Sequence, residues 1–434
     1  MDQSLVLALA VFIVSIALLA TERINRTVVV GLASLVLLVT GILDLQEAIN
    51  YVNWETIGLL FGMFIIAIVL SDSGFFSYLA LILAKKLSYD IKRIFILFPL
   101  LAGLLAAFLN SITVMLFLAV LTLEITKLLK IDPVPLIISE VVIANTGGAA
   151  TLIGDPPNVI LGTQLGLGFN AFIINNAPIA LVASLASIGV LYALNRKSLM
   201  PTGPIDVEKI RKIDAREAII DKGRLHRGLG ALFLAIALLA THGYFQDLGV
   251  PMTVALSALI PAFLLLLIGG SDTDYVLKKV DYNLVLFFIG LFILVGALEK
   301  TGAIRLFAGG LLALAAGSNA MLLSLLLWGS AGISALVDNI PFAVTMSYAI
   351  KDLAAVPGIL GTAIMVWAVS LGTDIGGNAT PIGASSNIVA YDSMEKHGLS
   401  VGWIRWIKIA VPPTIAALIV CSIMLYAKYA TGFY

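Results

Sequence analysis

The stretch GGAATLIGDPPNVI at residues 147–160 returns 229 residues later as GGNATPIGASSNIV at 376–389. Gly147/Gly376, Gly148/Gly377, Ala150/Ala379, Thr151/Thr380, Ile153/Ile382, Gly154/Gly383 and Asn158/Asn387 are identical. Glycine pairs, prolines and asparagine suit the middle of a helix poorly, yet both stretches interrupt long apolar runs. The same spacing sets FLNSIT at 108–113 on VDNIPF at 337–342, with Asn110 opposite Asn339. At an offset of 228, NWETIGLLFGMFI falls on DYNLVLFFIGLFI. Chance likeness between apolar helices does not hold one register through three polar features. The chain therefore consists of two related halves.

Of the 434 residues, 60% are hydrophobic and 12% charged, more apolar surface than a soluble domain of this size hides. The apolar runs match the hydrocarbon core of a bilayer, ~30 Å thick. Spans are expected at 4–21, 27–43, 54–71, 134–164, 176–195, 228–245, 251–268, 282–298, 358–391 and 409–427. Two apolar pairs, 94–129 and 319–352, break at a polar tip. With both termini external, 22 of the 26 Lys and Arg residues fall on the cytoplasmic side, Arg26 among them. That count holds only if each broken pair is a re-entrant hairpin, the first from the cytoplasm and the second from outside.

The expected fold is an all-α polytopic membrane protein with two inverted-topology repeats. It has about ten transmembrane spans, two re-entrant hairpins and two broken helices. Residues 1–195 form the first repeat, 196–227 a cytoplasmic linker and 228–434 the second repeat. The N-terminus lacks a basic region and a cleavage site, so it reads as a retained span. Cys421 is the single cysteine, which excludes an internal disulfide and a thiolate cluster. The scattered His226, His242 and His397 lack ligand spacing, and a net charge of zero argues against nucleic acid as a partner.

Inverted repeats with interrupted helices in matching positions mark secondary transporters, whose site lies at the repeat interface. The tips offer Asn110, Ser111, Thr113, Asp338 and Asn339. The breaks offer Asn145, Thr146, Thr151, Asp155, Asn158, Thr373, Asp374, Asn378, Thr380, Ser385, Ser386 and Asn387. Half-helices ending there present free N–H groups and carbonyls. Five carboxylates fall at membrane depth. Glu124 reads as a surface partner of Lys127 and Glu140 as interfacial. Asp155, Asp338 and Asp374 sit in the breaks or on a tip, where a carboxylate reads as a proton or cation site. The alternative for Asp155 is a helix cap. The core is expected to hold acids and no Lys or Arg, which suits a cation or a neutral hydroxylated solute exchanged for protons.

The tips SALVDNIPFAVTM and AAFLNSITVMLF and the break ATLIGDPPNVILG resemble the ion transporter superfamily. Within it they are similar to the branch of arsenite efflux permeases (ArsB), P proteins and NhaD-type sodium/proton antiporters. The resemblance covers nearly the whole chain. It implies a homodimer with a fixed scaffold and a moving transport part, working as an elevator, and a substrate site built from the polar elements above. The dicarboxylate branch has Ser-Asn-Thr at both tips, whereas Leu109-Asn110-Ser111 and Asp338-Asn339-Ile340 stand here. Cation exchangers of the branch carry Asp-Asn at both tips, and only Asp338-Asn339 keeps it.

The leading expectation is proton-coupled efflux of arsenite or antimonite across a bacterial plasma membrane. Asn110, Ser111, Thr113, Thr151, Asn158, Asn339, Asn378, Thr380 and Asn387 would hold the solute, and Asp155, Asp338 and Asp374 would couple protons or cations. No cofactor is expected beyond the proton gradient, or sodium in its place, and a soluble ATPase is a conceivable partner. Sodium/proton antiport is the alternative. An intramembrane aspartyl protease is disfavoured because Leu152-Ile153-Gly154-Asp155 lacks the first glycine of Gly-x-Gly-Asp. A channel is the remaining rival.

Overall fold

A computed structural model describes residues 3–21, 23–203, 214–269 and 273–434. Every regular element among them is helical, and the helices fall into two sets of ten in the same order. The first set is α1 (Gln3–Ala20), α2 (Arg26–Val39), α3 (Leu45–Tyr51), α4 (Trp54–Asp72), α5 (Phe75–Lys86), α6 (Ile91–Leu109), α7 (Ser111–Leu129), α8 (Val134–Gly148), α9 (Pro156–Leu165) and α10 (Phe169–Asn195). The second is α11 (Lys222–Asp247), α12 (Val254–Gly269), α13 (Thr273–Lys279), α14 (Tyr282–Lys300), α15 (Ala303–Ala315), α16 (Asn319–Ser334), α17 (Asn339–Ala354), α18 (Thr362–Gly376), α19 (Ser385–Lys396) and α20 (Gly402–Thr431). From the second to the eighth member, each helix starts 228 residues after its counterpart.

Eight of these helices are long and apolar enough to cross a membrane, both arms of the first hairpin included. The spans expected at 27–43 and 251–268 are shorter, α2 having 14 residues and α12 16. At ~1.5 Å per residue each covers roughly 20–25 Å. Backbone polar groups in lipid need internal partners, so such short helices belong against other protein.

The halves interlock by exchanging partners. Helix α4 packs on α12 of the other half, and α14 packs on α2. Both crossings rest on a glycine without room for a side chain. A Cβ on Gly62 would lie 2.7 Å from the Ala258 backbone, and one on Gly290 would lie 2.7 Å from the Val30 side chain. Close approach of helix backbones at small residues is how helices associate where water supplies no driving force. The same exchange places α9 on α17 and α19 on α7. Ion pairs clasp the ends: Lys279 of α13 reaches Asp72 at 2.8 Å, and Lys300 reaches Glu47 of α3 at 2.5 Å. Asp72 and Lys300 are repeat counterparts, so this clasp is kept with its charges reversed. The Lys300 ammonium, with the Asp44 backbone N–H, holds the Glu47 carboxyl below its usual range.

Candidate functional site

Each break is a short loop that folds back on itself, built alike in both halves. In the first, the backbones of Gly148 and Gly154 touch, so that a Cβ on Gly154 would lie 2.3 Å from the Gly148 carbonyl. In the second, Gly383 meets the Gly377 carbonyl at the same 2.3 Å. An asparagine one turn into the next helix closes each loop. Asn158 Nδ2 donates to Gly148 O and Thr151 O at 3.0 Å, and Asn387 Nδ2 donates to Gly377 O and Thr380 O at 2.8 Å. A threonine then ties each loop to its own hairpin: Thr151 Oγ1 donates to Ala107 O, and Thr380 Oγ1 donates to Ala335 O. Carbonyls left open by the end of a helix are thereby satisfied by side chains.

Four of the expected solute ligands, Thr151, Asn158, Thr380 and Asn387, thus commit every hydrogen-bond donor they have to their own backbone. Asn378 is also engaged, its Oδ1 accepting from Asn145 Nδ2 at 2.8 Å and its Nδ2 donating to Val142 O at 3.3 Å. Asn145 sits where the broken helices cross: Nδ2 also donates to Asn387 Oδ1 at 2.8 Å, and Ser386 Oγ donates to Asn145 Oδ1 at 2.5 Å.

The tips correct the sequence register by one residue. Asn110 Oδ1 accepts from Ile112 N and Asp338 Oδ1 accepts from Ile340 N, so Asn110 corresponds to Asp338, not to Asn339. Its partner is then Ser111 with Asn339, and these two meet on one carboxylate. Ser111 Oγ donates to Asp155 Oδ1 at 2.5 Å, and Asn339 Nδ2 donates to Asp155 Oδ2 at 3.3 Å. Asp155 begins α9 without capping it through its side chain. It bridges the hairpins of the two halves. Turning at the first tip puts Asn110 at φ +65° and ψ +130°, outside the left-handed helical region and strained for a residue with a Cβ.

Asp374, on the last turn of α18, is fully buried and faces Asp155 and Asn158, yet neither carboxyl oxygen has a hydrogen-bond partner. Its counterpart in the first break is Asn145. At the same structural position one half holds a satisfied amide and the other a bare carboxyl. Asp338, on the second tip next to Asn339, is not bare. Arg26 Nη1 donates to Asp338 Oδ2 at 2.6 Å and to Ser385 Oγ at 3.2 Å. A core with acids and no Lys or Arg is therefore corrected: Arg26, assigned from sequence to the cytoplasmic bases, reaches the second tip. Sequence spacing gave no signal for that contact, which spans 312 residues.

Beside the first tip, a cavity of 270 Å³ runs from Asn110 and Thr113 to Asp72, Lys279 and Asp281. Thr113 lines it, and its side chain makes no hydrogen bond among the described residues. Glu140, expected at the interface, is instead fully buried; Thr122 Oγ1 donates to its Oε1 at 2.6 Å, and Oε2 has no partner. Glu124 is exposed, and no ion pair with Lys127 is found among the described residues. Replacing Thr122 by Val removes the single bond that Glu140 has, so Thr122→Val lowers stability by ~1–3 kcal/mol. Thermal unfolding in detergent measures it, and combining it with Glu140→Gln distinguishes loss of that bond from loss of packing.

Two interlocked halves that bring four interrupted elements onto buried carboxylates define a polytopic membrane transporter. The chain belongs to the citrate transporter family, whose model matches residues 16–372. An uncharacterized transporter of Mycobacterium tuberculosis strain H37Rv is 33% identical over 429 residues, covering 98% of this chain and 99% of that protein. Mouse P protein is 28% identical over 476 residues, covering 91% of this chain and 57% of that protein. The resemblance to the P protein branch is thereby established. The YdaH transporter of Alcanivorax borkumensis shares the fold, with a TM-score of 0.57 at 14% identity over 89% of this chain and 88% of that one.

Proposed function

We propose that the chain is a proton-coupled exchanger of a small inorganic solute, that Asp155 and Asp374 are its coupling groups, and that the solute is a monovalent cation. The observation that carries this reading is Asp374, a fully buried carboxyl with both oxygens unpartnered beside a second buried carboxyl. Two adjoining buried carboxylates do not both stay charged in a site of low dielectric. Either a proton or a metal cation has to sit with them, and exchange of one for the other is the chemistry they support. The family model's description names citrate. A tricarboxylate would meet these two acids with no free base beside them, which disfavours it here.

Efflux of arsenite or antimonite is the second reading. It is favoured by the neutral Asn110 and Thr113 among the lining of the 270 Å³ cavity. Against it stands the commitment of Thr151, Asn158, Thr380 and Asn387 to backbone carbonyls, which leaves few donors for three arsenite hydroxyls. Homodimeric assembly, elevator movement, a bacterial plasma membrane with both termini external, two repeats meeting at the 196–227 linker, and independence from any bound cofactor belong to the same proposal. A soluble ATPase is unnecessary to it.

The test uses purified protein in liposomes containing a pH-sensitive dye. External sodium is expected to raise lumenal pH, with arsenite having no effect. Proton movement on arsenite addition alone replaces the first reading by the second. No proton movement with either solute overturns the coupling role of Asp155 and Asp374.

A further inference from the structure

Arg26 has no basic counterpart in the other half, where Val254 stands at the equivalent position. Arg26 opens α2, which is held by α1 and α14, and it reaches two separate elements of the second half. Its guanidinium touches Asp338 at the hairpin tip, at 2.6 Å, and Ser385 at the start of α19, at 3.2 Å. The repeat counterparts of Arg26, Asp338 and Ser385 are Val254 at the start of α12, Asn110 at the first tip and Pro156 at the start of α9. The cation, the anion and the hydroxyl of this cluster are thus all replaced, together, by groups that form no such contact. Three positions brought together from across the chain and differing as a set behave as one device.

We propose that Arg26 is a tethered counter-cation for Asp338, and thereby a specificity-determining residue: it occupies the carboxylate while no solute cation is bound and is displaced when one arrives. The inference rests on the cation-exchange reading above. A guanidinium keeps its charge at any working pH and so does not leave by losing its proton. It departs only if another cation, or a proton on Asp338, takes its place. The side chains of Arg26 and Asp338 are 30% and 13% exposed, which leaves a competitor access to the pair. Beside them lies a cavity of about 20 Å³, lined by Leu19, Phe287 and Ile382 among others. That is room for one water or one dehydrated small ion. Asn339, next in the chain to Asp338, holds Asp155 Oδ2 at 3.3 Å, so occupancy of the tip is transmitted to the central carboxylate.

A tethered competitor lowers apparent affinity by the fraction of time it holds the site. In proteoliposomes, Arg26→Gln is therefore expected to lower the apparent KM for sodium about fivefold or more, with the maximal rate within about twofold of wild type. In an Asp338→Asn background the same substitution should no longer shift KM. An unchanged or raised KM, or a shift that persists without Asp338, overturns the proposal. Should Arg26→Gln fail to fold, Arg26→Lys is read instead, with a smaller fall in KM expected and no fall overturning it. Sodium-dependent thermal stabilisation in detergent, against choline, separates this idea from the reading beneath it. If wild type exchanges no protons for sodium yet the stabilising concentration falls in Arg26→Gln, exchange is wrong and the tether stands. If exchange occurs and neither KM nor that concentration moves, the tether is wrong and exchange stands.

Discussion

Replacing Asp374 by Asn is expected to abolish solute-linked proton movement while leaving the protein as stable as before, or more so. The carboxyl is fully buried and faces Asp155 and Asn158 without a hydrogen bond of normal geometry, so little structural is lost with it. An amide of nearly the same shape removes a group that is costly to bury charged. In dye-loaded proteoliposomes the sodium-induced pH change should drop to the level of protein-free liposomes, and the unfolding temperature in detergent should hold or rise. Asp155→Asn gives the informative contrast. Its two oxygens accept from Ser111 and Asn339, one from each hairpin. An amide there turns one acceptor into a donor that faces another donor, so coupling and stability fall together, the latter by ~1–3 kcal/mol. Equal stability losses in both variants would mean that Asp374 has a structural role the geometry does not show. Retained exchange in Asp374→Asn would remove it from the coupling site.

Much of this site was legible in the sequence, for a reason that also explains what was misread. The residues repeated between halves, Gly148/Gly377, Thr151/Thr380, Gly154/Gly383 and Asn158/Asn387, mark the breaks correctly because each builds the fold-back itself. Their recurrence invites a role as solute ligands, but a loop built twice needs its closing groups twice whatever it carries. The differences point to the chemistry. Asp155 faces Ala384 across the repeat, Asp374 faces Asn145, and Asp338 faces Asn110. Those differences were readable only in part. The helix starts keep an offset of 228 while the breaks run at 229, so a single register placed Asn110 on Asn339 and concealed its likeness to Asp338. The Arg26–Asp338 pair was out of reach for a different reason. It depends on exchange of helices between halves, with α2 packed on α14, and hydrophobic period does not encode which half a helix joins. Glu140 was misplaced because it lies early in α8, where sequence suggests an interface; its burial follows from α6, α7 and α10 closing around that helix.

Gly383→Ala is expected to be strongly damaging although it adds a single methyl group. The added Cβ would stand 2.3 Å from the Gly377 carbonyl and 2.9 Å from the Ser334 carbonyl, both backbone atoms that cannot swing aside. Relief requires the second break to open. Opening it pulls Gly377 O and Thr380 O away from Asn387 Nδ2, which now sits 2.8 Å from each. It also moves Thr380 from Ala335 O, at 2.6 Å, and so detaches the break from the hairpin that carries Asp338. Overpacking and buried groups left without partners add to about 3 kcal/mol or more. The measurement is the yield of monodisperse protein and its unfolding temperature in detergent. Gly310→Ala in α15 is the control, because nothing lies within 4 Å of its added Cβ. Alanine propagates a helix better than glycine by ~1 kcal/mol, so that variant should be unchanged or slightly stabilised. Gly154→Ala ought to match Gly383→Ala, since its Cβ meets the Gly148 carbonyl at the same 2.3 Å. If one glycine tolerates the methyl and the other does not, the two breaks differ in rigidity.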